Sequence, residues 1–375
     1  MRDLGRRPGH GVPELRVPMV TVTETQTRAA PAPVVPDPRA RVLGCFLGGA
    51  VGDALGAQVE FLSTAEIRAR FGDVGVTGYG ATPGSITDDT QMSLFTAEGL
   101  LDAGDDLRSR YLVELAPHLH AAYRRWFLTQ VREGPVLPRV ARPSLPSGAL
   151  IDRAELYAWR APGNTSLSAL MSGRRGSLAT AINDSKGCGG VMRVAPVGLA
   201  AGIDPFTVAA EAASITHGHP TGFLSAGAFA TVVAELFRGR SLPDAIAHAI
   251  DRLGRFRGRA ETMRAIRAAV ELAEREPDPT PEVVEQLGGG WVGEEALAIA
   301  LYAALTANDF ESGVLTAVNH SGDSDSTGAI AGNLLGTQLG VDAIPTTFLD
   351  HLAERPVVQA VAEDFAGLVL TPSGR

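Results

Sequence analysis

Lysine is almost absent from this sequence. It carries 33 basic residues, and Lys186 is the single lysine among them. A GC-rich coding bias accounts for arginine in place of lysine, but not for the one position where lysine stands. Cysteine is scarce as well. Cys45 and Cys188 cannot make a zinc site on their own and do not suggest a disulfide framework, so a reducing, cytoplasmic setting is expected. Aromatic residues make up 6%, which leaves Ala, Val and Leu, with close backbone approach, to build the core. No uninterrupted apolar run reaches the roughly 18 residues of a membrane span, and no apolar signal core opens the chain. No membrane association is expected. Excess positive charge is missing too: the formal charge is −9, which argues against general nucleic-acid binding.

What is present suits a folded domain. Apolar residues make up 45% of 375 positions, enough for a large core. Residues 1–39 stand apart, with seven prolines, six arginines and no aromatic residue. They read as a disordered tail, because they cannot bury enough to offset their ordering entropy. Met19 is an alternative start. From Arg41 onward the pattern is helical, with apolar spacing of three and four over 206–217, 220–238, 243–253, 259–275, 281–287, 293–307, 326–339 and 357–370. Pro205, Pro220 and Pro281 mark first turns, and Ser63 to Glu66 fits a capping box. Val136 to Pro146 reads as a loop.

Two helices carry glycine at every fourth position: Gly44, Gly48, Gly52 and Gly56, and then Gly328, Gly332 and Gly336. Each interior glycine costs about 1 kcal/mol of helix propensity relative to alanine, so something must offset it. A flat glycine ridge lets another backbone pack closely. A membrane-dimer reading fails, because neither segment is long and apolar. Two buried helices of one compact all-α core fit better.

The chemistry-bearing residues fall in three places. Thr87-Asp88-Asp89-Thr90 and Ser321-Gly322-Asp323-Ser324-Asp325-Ser326-Thr327 each set two carboxylates and several hydroxyls at a helix start. One Asp there is ordinary capping; brought together, four would repel unless cations sat among them. Hard oxygen donors suit Mg²⁺, Mn²⁺ or Ca²⁺ rather than zinc. Two separate N-caps remain the plain alternative. Ser185-Lys186-Gly187-Cys188-Gly189-Gly190 could expose backbone N–H groups to a phosphate, with Lys186 as a point charge, although such loops are common. Glu60, ending the first glycine helix, is either a solvated acid or one tuned for proton transfer. His217 either contacts a ligand or caps a helix end. Cys188 beside Lys186 could be a nucleophile, but no His–Asp partnership supports it.

Taken in order, these motifs resemble the ADP-ribosylglycohydrolases. The resemblance runs from Leu47-Gly48-Gly49-Ala50-Val51-Gly52-Asp53 to Glu60, then Thr87 to Thr90, then the glycine loop ending Met192-Arg193-Val194-Ala195-Pro196, then His217, then Gly322 to Gly328. It implies a compact, single-domain all-α bundle over residues 40–372 with two divalent ions, Mg²⁺ or Mn²⁺, in a cleft. By resemblance the ligands are Thr87, Asp88 and Asp89 from one side and Asp323, Asp325 and Ser326 from the other. Ser185, Lys186, Gly187, Cys188, Gly189 and Gly190 match the loop that receives the diphosphate, and His217 a residue near the ADP-ribose. The catalytic candidates are Glu60, Asp88 and Asp325. Several relatives carry an aromatic residue and an Asn where this chain has Lys186 and Cys188, so contacts made there do not transfer. Arg160 to Thr165 is a candidate cleft loop.

The expected activity is metal-dependent hydrolysis of the bond at the anomeric carbon of the distal ribose, through an oxocarbenium-like state. The expected substrate is an ADP-ribosylated protein, arginine-linked in the first instance, or a small ADP-ribose conjugate. Serine, guanine or O-acetyl linkages are alternatives. So are hydrolysis of another metal-bound nucleotide or sugar phosphate, an ADP-ribose sensor, and an immunity protein that meets a toxin through residues 1–39.

Overall fold

The computed structural model describes residues 36–104, 114–131 and 149–371. The tail as far as residue 35, with Met19, and the expected loop from Val136 to Pro146 lie outside the described residues. Sixteen helices are found among those described: α1 (Pro38–Gly56), α2 (Thr64–Phe71), α3 (Asp88–Asp102), α4 (Ala116–Gln130), α5 (Asn164–Met171), α6 (Ala195–Leu199), α7 (Pro205–Ser214), α8 (Pro220–Phe237), α9 (Leu242–Leu253), α10 (Ala260–Arg275), α11 (Pro281–Val284), α12 (Gly293–Thr306), α13 (Phe310–Val318), α14 (Ser324–Leu339), α15 (Thr346–Asp350) and α16 (Arg355–Leu370). No strand forms among the described residues, only isolated bridges at Gly84 with Leu352 and Gly187 with Val292. The fold is all-α.

The helix starts follow their local chemistry. Ser63 and Glu66 exchange the two bonds of a capping box, with Ser63 N donating to Glu66 Oε2 at 2.8 Å. His219 caps α8 through Nδ1, which accepts from Thr221 N at 3.1 Å. One boundary moves. The expected tail reached residue 39, yet α1 begins at Pro38, with Asp37 Oδ1 accepting from Ala40 N at 2.9 Å. Asp37-Pro38 is the same Asp-Pro start that opens α7 at Asp204-Pro205, and an acceptor ahead of proline's fixed φ favours the first turn.

The two glycine stripes meet. A Cβ at Gly44 would lie 2.2 Å from the Gly336 carbonyl oxygen, one at Gly48 2.4 Å from that of Gly332, and one at Gly52 1.9 Å from that of Gly328. α1 and α14 therefore touch backbone to backbone along four turns, which only glycine permits. α16 packs on α1, and α12 and α13 pack on α14. α8 lies in the next layer with α6, α7 and α9. By length and composition α8 could cross a membrane (18 residues, mean hydropathy 1.3), but 89% of it is buried inside the protein, as in the core helix of a bundle.

The candidate active site

The glycine seam decides where the acids go. At its last step Gly56 sits against the Ser324 carbonyl, where a Cβ would fall 2.1 Å away. The end of α1, and Glu60 just after it, is thereby pressed against the start of α14, which carries Asp325. Asp53, fully buried on α1, reaches the other cluster. Its carboxylate accepts from Thr87 N at 3.0 Å, Thr90 N at 3.1 Å and Thr90 Oγ1 at 2.5 Å. Asp53 thus fixes the first turn of α3, where Asp88 and Asp89 stand. Nothing in the local sequence marks Asp53 for this, because its partners lie 34 and 37 positions on.

The two acid pairs face a cleft of about 330 Å³ lined by Glu60, Phe61, Asp88, Asp89, Asp323, Asp325 and Ser326, with Gly187, Cys188, Gly189, Met192, His217 and Trp291 completing the wall. Its remaining side is the loop Ala161, Pro162 and Gly163 with the first turn of α5, Asn164 to Ser166. Arg160 anchors that loop, pairing with Glu354 at 2.6 Å and donating to the Ile86 carbonyl at 2.6 Å. Gly163 N donates to Asp88 Oδ2 at 3.1 Å. A larger cavity of about 410 Å³, between α2, α11 and α13, holds none of these groups.

Burial and mutual repulsion dominate the electrostatics. Glu60 is pushed up to about 8, by burial and then by the charges of Asp323, Asp88 and Asp53. Burial pushes Asp88 up to about 7 and Asp53 to about 6. Asp89 and Asp325 are also held well above the carboxylate range, by burial and then by their acidic neighbours. Asp89 Oδ2 is buried without a hydrogen-bond partner. Among the described residues no three metal-binding side chains stand as a finished coordination shell. The donor chemistry nevertheless fits hard cations: oxygen donors from two helix starts, too close to be charged together, with one orphaned oxygen. Asp88, Asp89, Asp323, Asp325 and Ser326 are the residues on the cleft wall that could hold them. Thr87 is not on that wall; its side chain caps α3, accepting from Asp89 N at 3.3 Å.

The glycine loop departs from expectation. It leads into a single 3₁₀ turn, Cys188–Gly190, and α6 starts only at Ala195, so no helix N-terminus stands directly behind the glycines. Lys186 does not face the cleft. Its ammonium lies between Glu294 at 2.5 Å and Glu261 at 2.9 Å. In this structure the lone lysine pairs with two glutamates outside the cleft lining. Ser185 Oγ meets Thr165 Oγ1 at 3.0 Å, and neither Ser185 nor Gly190 lines the cleft. Cys188 does, and its thiol donates to Asp323 Oδ2 at 2.8 Å. Burial and the charges of Asp323 and Asp89 hold that thiol well above its usual value, which disfavours a thiolate nucleophile.

His217 lies buried behind Gly187 and Gly189. Burial, then the Arg193 charge, lower it to about 3, so it is neutral at ordinary pH. Its Nδ1 meets Thr216 Oγ1 at 2.8 Å, and Arg193 Nη2 donates to that same hydroxyl at 2.7 Å. Arg193, itself fully buried with its guanidinium 4.3 Å from the Tyr123 ring centre, holds this histidine in place. Sequence reasoning noted Met192-Arg193 as a motif but gave it no role.

The ADP-ribosylglycohydrolase profile matches residues 35–374. The chain belongs to the ADP-ribosylglycohydrolase family. It is 29% identical over 328 residues to the ADP-ribosyl-(dinitrogen reductase) glycohydrolase of Rhodospirillum rubrum, covering 83% of this chain and 90% of that protein. It is 25% identical to the ADP-ribosylarginine hydrolase Tri1 of Pseudomonas putida, covering 86% of this chain and 77% of that protein. A solved structure described as an ADP-ribosylglycohydrolase-related protein complex superposes with a TM-score of 0.61 at 28% identity, over 88% of this chain and 99% of that one. This family member is therefore an enzyme of the ADP-ribosyl glycohydrolase class. The acidic cleft described above is its candidate active site.

Proposed function

We propose that this glycohydrolase releases ADP-ribose from a modified arginine side chain, with two divalent ions, Mg²⁺ or Mn²⁺, in the acidic cleft. The observation that carries the reading is the meeting of Asp88, Asp89, Asp323 and Asp325, from two helix starts, with Glu60 in one cleft. A glycosidic bond at an anomeric carbon needs a group that can protonate the departing atom and stabilisation of an oxocarbenium-like centre. Glu60, on the cleft wall beside the aspartates, is the carboxyl placed for the first task. Asp88, Asp89, Asp323 and Asp325 line the same cleft and are the groups placed for the second. Bound cations would supply ligation of ribose hydroxyls and acidification of water.

The chain's own residues perform the rest. Asp53 holds the first turn of α3, so Asp88 and Asp89 cannot swing apart. The glycine seam fixes Glu60 relative to Asp325. Burial, then the Arg193 charge, keep His217 neutral, and Thr216 orients its ring against the glycine turn, which leaves its other ring nitrogen for a ligand. The segment from Ala161 into the first turn of α5 closes the far wall. The arginine linkage draws on the two relatives named for substrates: one is an ADP-ribosylarginine hydrolase, the other an ADP-ribosyl-(dinitrogen reductase) glycohydrolase. A protein acceptor and a cytoplasmic location are part of the same proposal.

The test is release of free ADP-ribose from arginine-, serine- and O-acetyl-linked conjugates, with each metal and with chelator. Asp325→Asn should lower turnover of the arginine conjugate by about 100-fold or more, the loss typical of removing a group that stabilises charge in the transition state, while circular dichroism stays native. Full activity in that variant, or in excess chelator, would rule out the metal-dependent mechanism.

A further inference from the structure

Two large aromatic side chains stand open at the cleft. Phe61 is 64% exposed and Trp291 44% exposed, in a protein whose other aromatic side chains are mostly buried. They stack on each other, with ring centres 5.4 Å apart and planes 22° apart. Both line the acidic cleft.

The backbone holds the pair in place. Phe61 has φ +68°, a left-handed conformation that bulky residues rarely adopt, and its N–H donates to the Gly322 carbonyl at 3.4 Å. The Trp291 carbonyl accepts from Cys188 N at 3.2 Å, and the Gly289 carbonyl two residues earlier accepts from Asp323 N at 2.8 Å. Both aromatics are thus tied to the loops that carry the acids, and Phe61 is the chain neighbour of Glu60.

We infer that Phe61 and Trp291 form the acceptor subsite, a platform on which the guanidinium of an ADP-ribosylated arginine lies flat. This rests on the proposed function of the same cleft. A group that protonates the leaving atom must lie on the leaving side of the anomeric carbon, so the surface next to Glu60 receives the acceptor. Adenine, joined through the diphosphate at the opposite end of ADP-ribose, lies away from it. A guanidinium is planar, weakly hydrated and cationic. It gains from an aromatic face and from the surrounding negative charge together. A serine or acetyl acceptor has no flat cation to lay against the open aromatic face of the stacked pair, so the platform selects arginine linkages.

The experiment uses the full chain with Mg²⁺ or Mn²⁺. KM is measured for ADP-ribosyl-agmatine, and the inhibition constant for free ADP-ribose, in wild type, Trp291→Leu, Trp291→Phe and Phe61→Leu. Trp291→Leu should raise KM for the agmatine conjugate about 10-fold, in line with a partly desolvated cation–aromatic contact, and leave ADP-ribose inhibition within about 2-fold. Trp291→Phe should restore most of the loss, and Phe61→Leu should show a smaller rise. An equal loss for both ligands would place the platform under ADP-ribose itself and overturn the inference, as would an unchanged KM. If wild type cleaves no conjugate, the functional reading fails but the platform is still decided. Saturable quenching of tryptophan emission by agmatine, lost in Trp291→Leu, supports it, and absence of quenching overturns it.

Discussion

The seam between α1 and α14 and the cleft at its end lie within one helix turn of each other and are built on opposite principles. Along the seam the side chains have been removed, so that backbones touch and nothing needs solvation. In the cleft, carboxylates are crowded together and buried, against their own preference for water and for distance. The contrast shows what the seam is for. Groups that repel stay close only if their supports cannot relax, and a backbone-to-backbone contact is the stiffest support a helix pair offers. The glycines weaken α1 and α14 as isolated helices, and the acids weaken the folded state; each cost is justified by the geometry the two create together.

The largest break in this comparison is on the seam. In Gly52→Ala the new methyl group would meet the Gly328 carbonyl at 1.9 Å, and that atom is backbone. Overpacking against an unyielding partner should lower stability by about 3 kcal/mol or more, well beyond the roughly 1 kcal/mol that alanine's helix propensity returns. Denaturant unfolding measures it. Metal-dependent turnover should fall with it, because α1 can no longer hold Glu60 against Asp325. A stable, active Gly52→Ala would show that the seam is looser than described.

Next comes the link between seam and cleft. Asp53→Asn keeps one acceptor oxygen where the carboxylate now takes bonds from Thr87 and Thr90. The lost buried, charge-assisted bonds should cost about 2 kcal/mol, and the first turn of α3 should loosen. Faster amide exchange at Thr87 and Thr90 than elsewhere in α3 would locate the effect there; uniform exchange across the helix would contradict it.

The cleft has its own signature in pH. Unfolded carboxyls titrate near 4, whereas Asp53, Asp88 and Glu60 are raised to about 6, 7 and 8 when folded. Folded protein then binds more protons than unfolded protein between those limits. The contribution of these three acids to stability without metal should therefore be fully present below about pH 4 and be lost progressively as pH rises towards about 8. Saturating Mg²⁺ or Mn²⁺ should flatten this slope, since a cation favours the ionised acids. Thermal melts from pH 4 to 9 with and without metal would show it; a slope that metal leaves unchanged would remove the cations from the cleft.

These features were legible in the sequence to different degrees, for physical reasons. Glycine at every fourth residue is a local signal, as are Asp-Pro starts and acid pairs before an apolar helix; these appear as expected except at Asp37-Pro38, which opens α1 inside the expected tail. The roles of Asp53, Lys186 and Arg193 are not local. Lys186 finds Glu261 and Glu294 at separations of 75 and 108 residues, and no short window contains that pairing. Residue type suggested phosphate for a lysine among glycines; tertiary neighbours gave it carboxylates instead. The stacking of Phe61 on Trp291 is hidden in the same way, because either ring alone reads as core.

A glycine outside the seam presents the opposite case. Gly367 lies in α16 with nothing within 4 Å of where a Cβ would stand. It has the helical cost of the seam glycines without their contact. Gly367→Ala should therefore stabilise the protein by about 0.5–1 kcal/mol, through helix propensity and a less flexible unfolded chain. Turnover should not change, since no residue of α16 lines the cleft and Gly367 lies near the end of that helix away from Glu354. If chemical unfolding shows Gly52→Ala and Gly367→Ala shifting stability in the same direction, propensity alone governs these glycines and the seam loses its special status. Opposite signs at two helical glycines in one protein would isolate backbone contact as the reason α1 and α14 keep theirs.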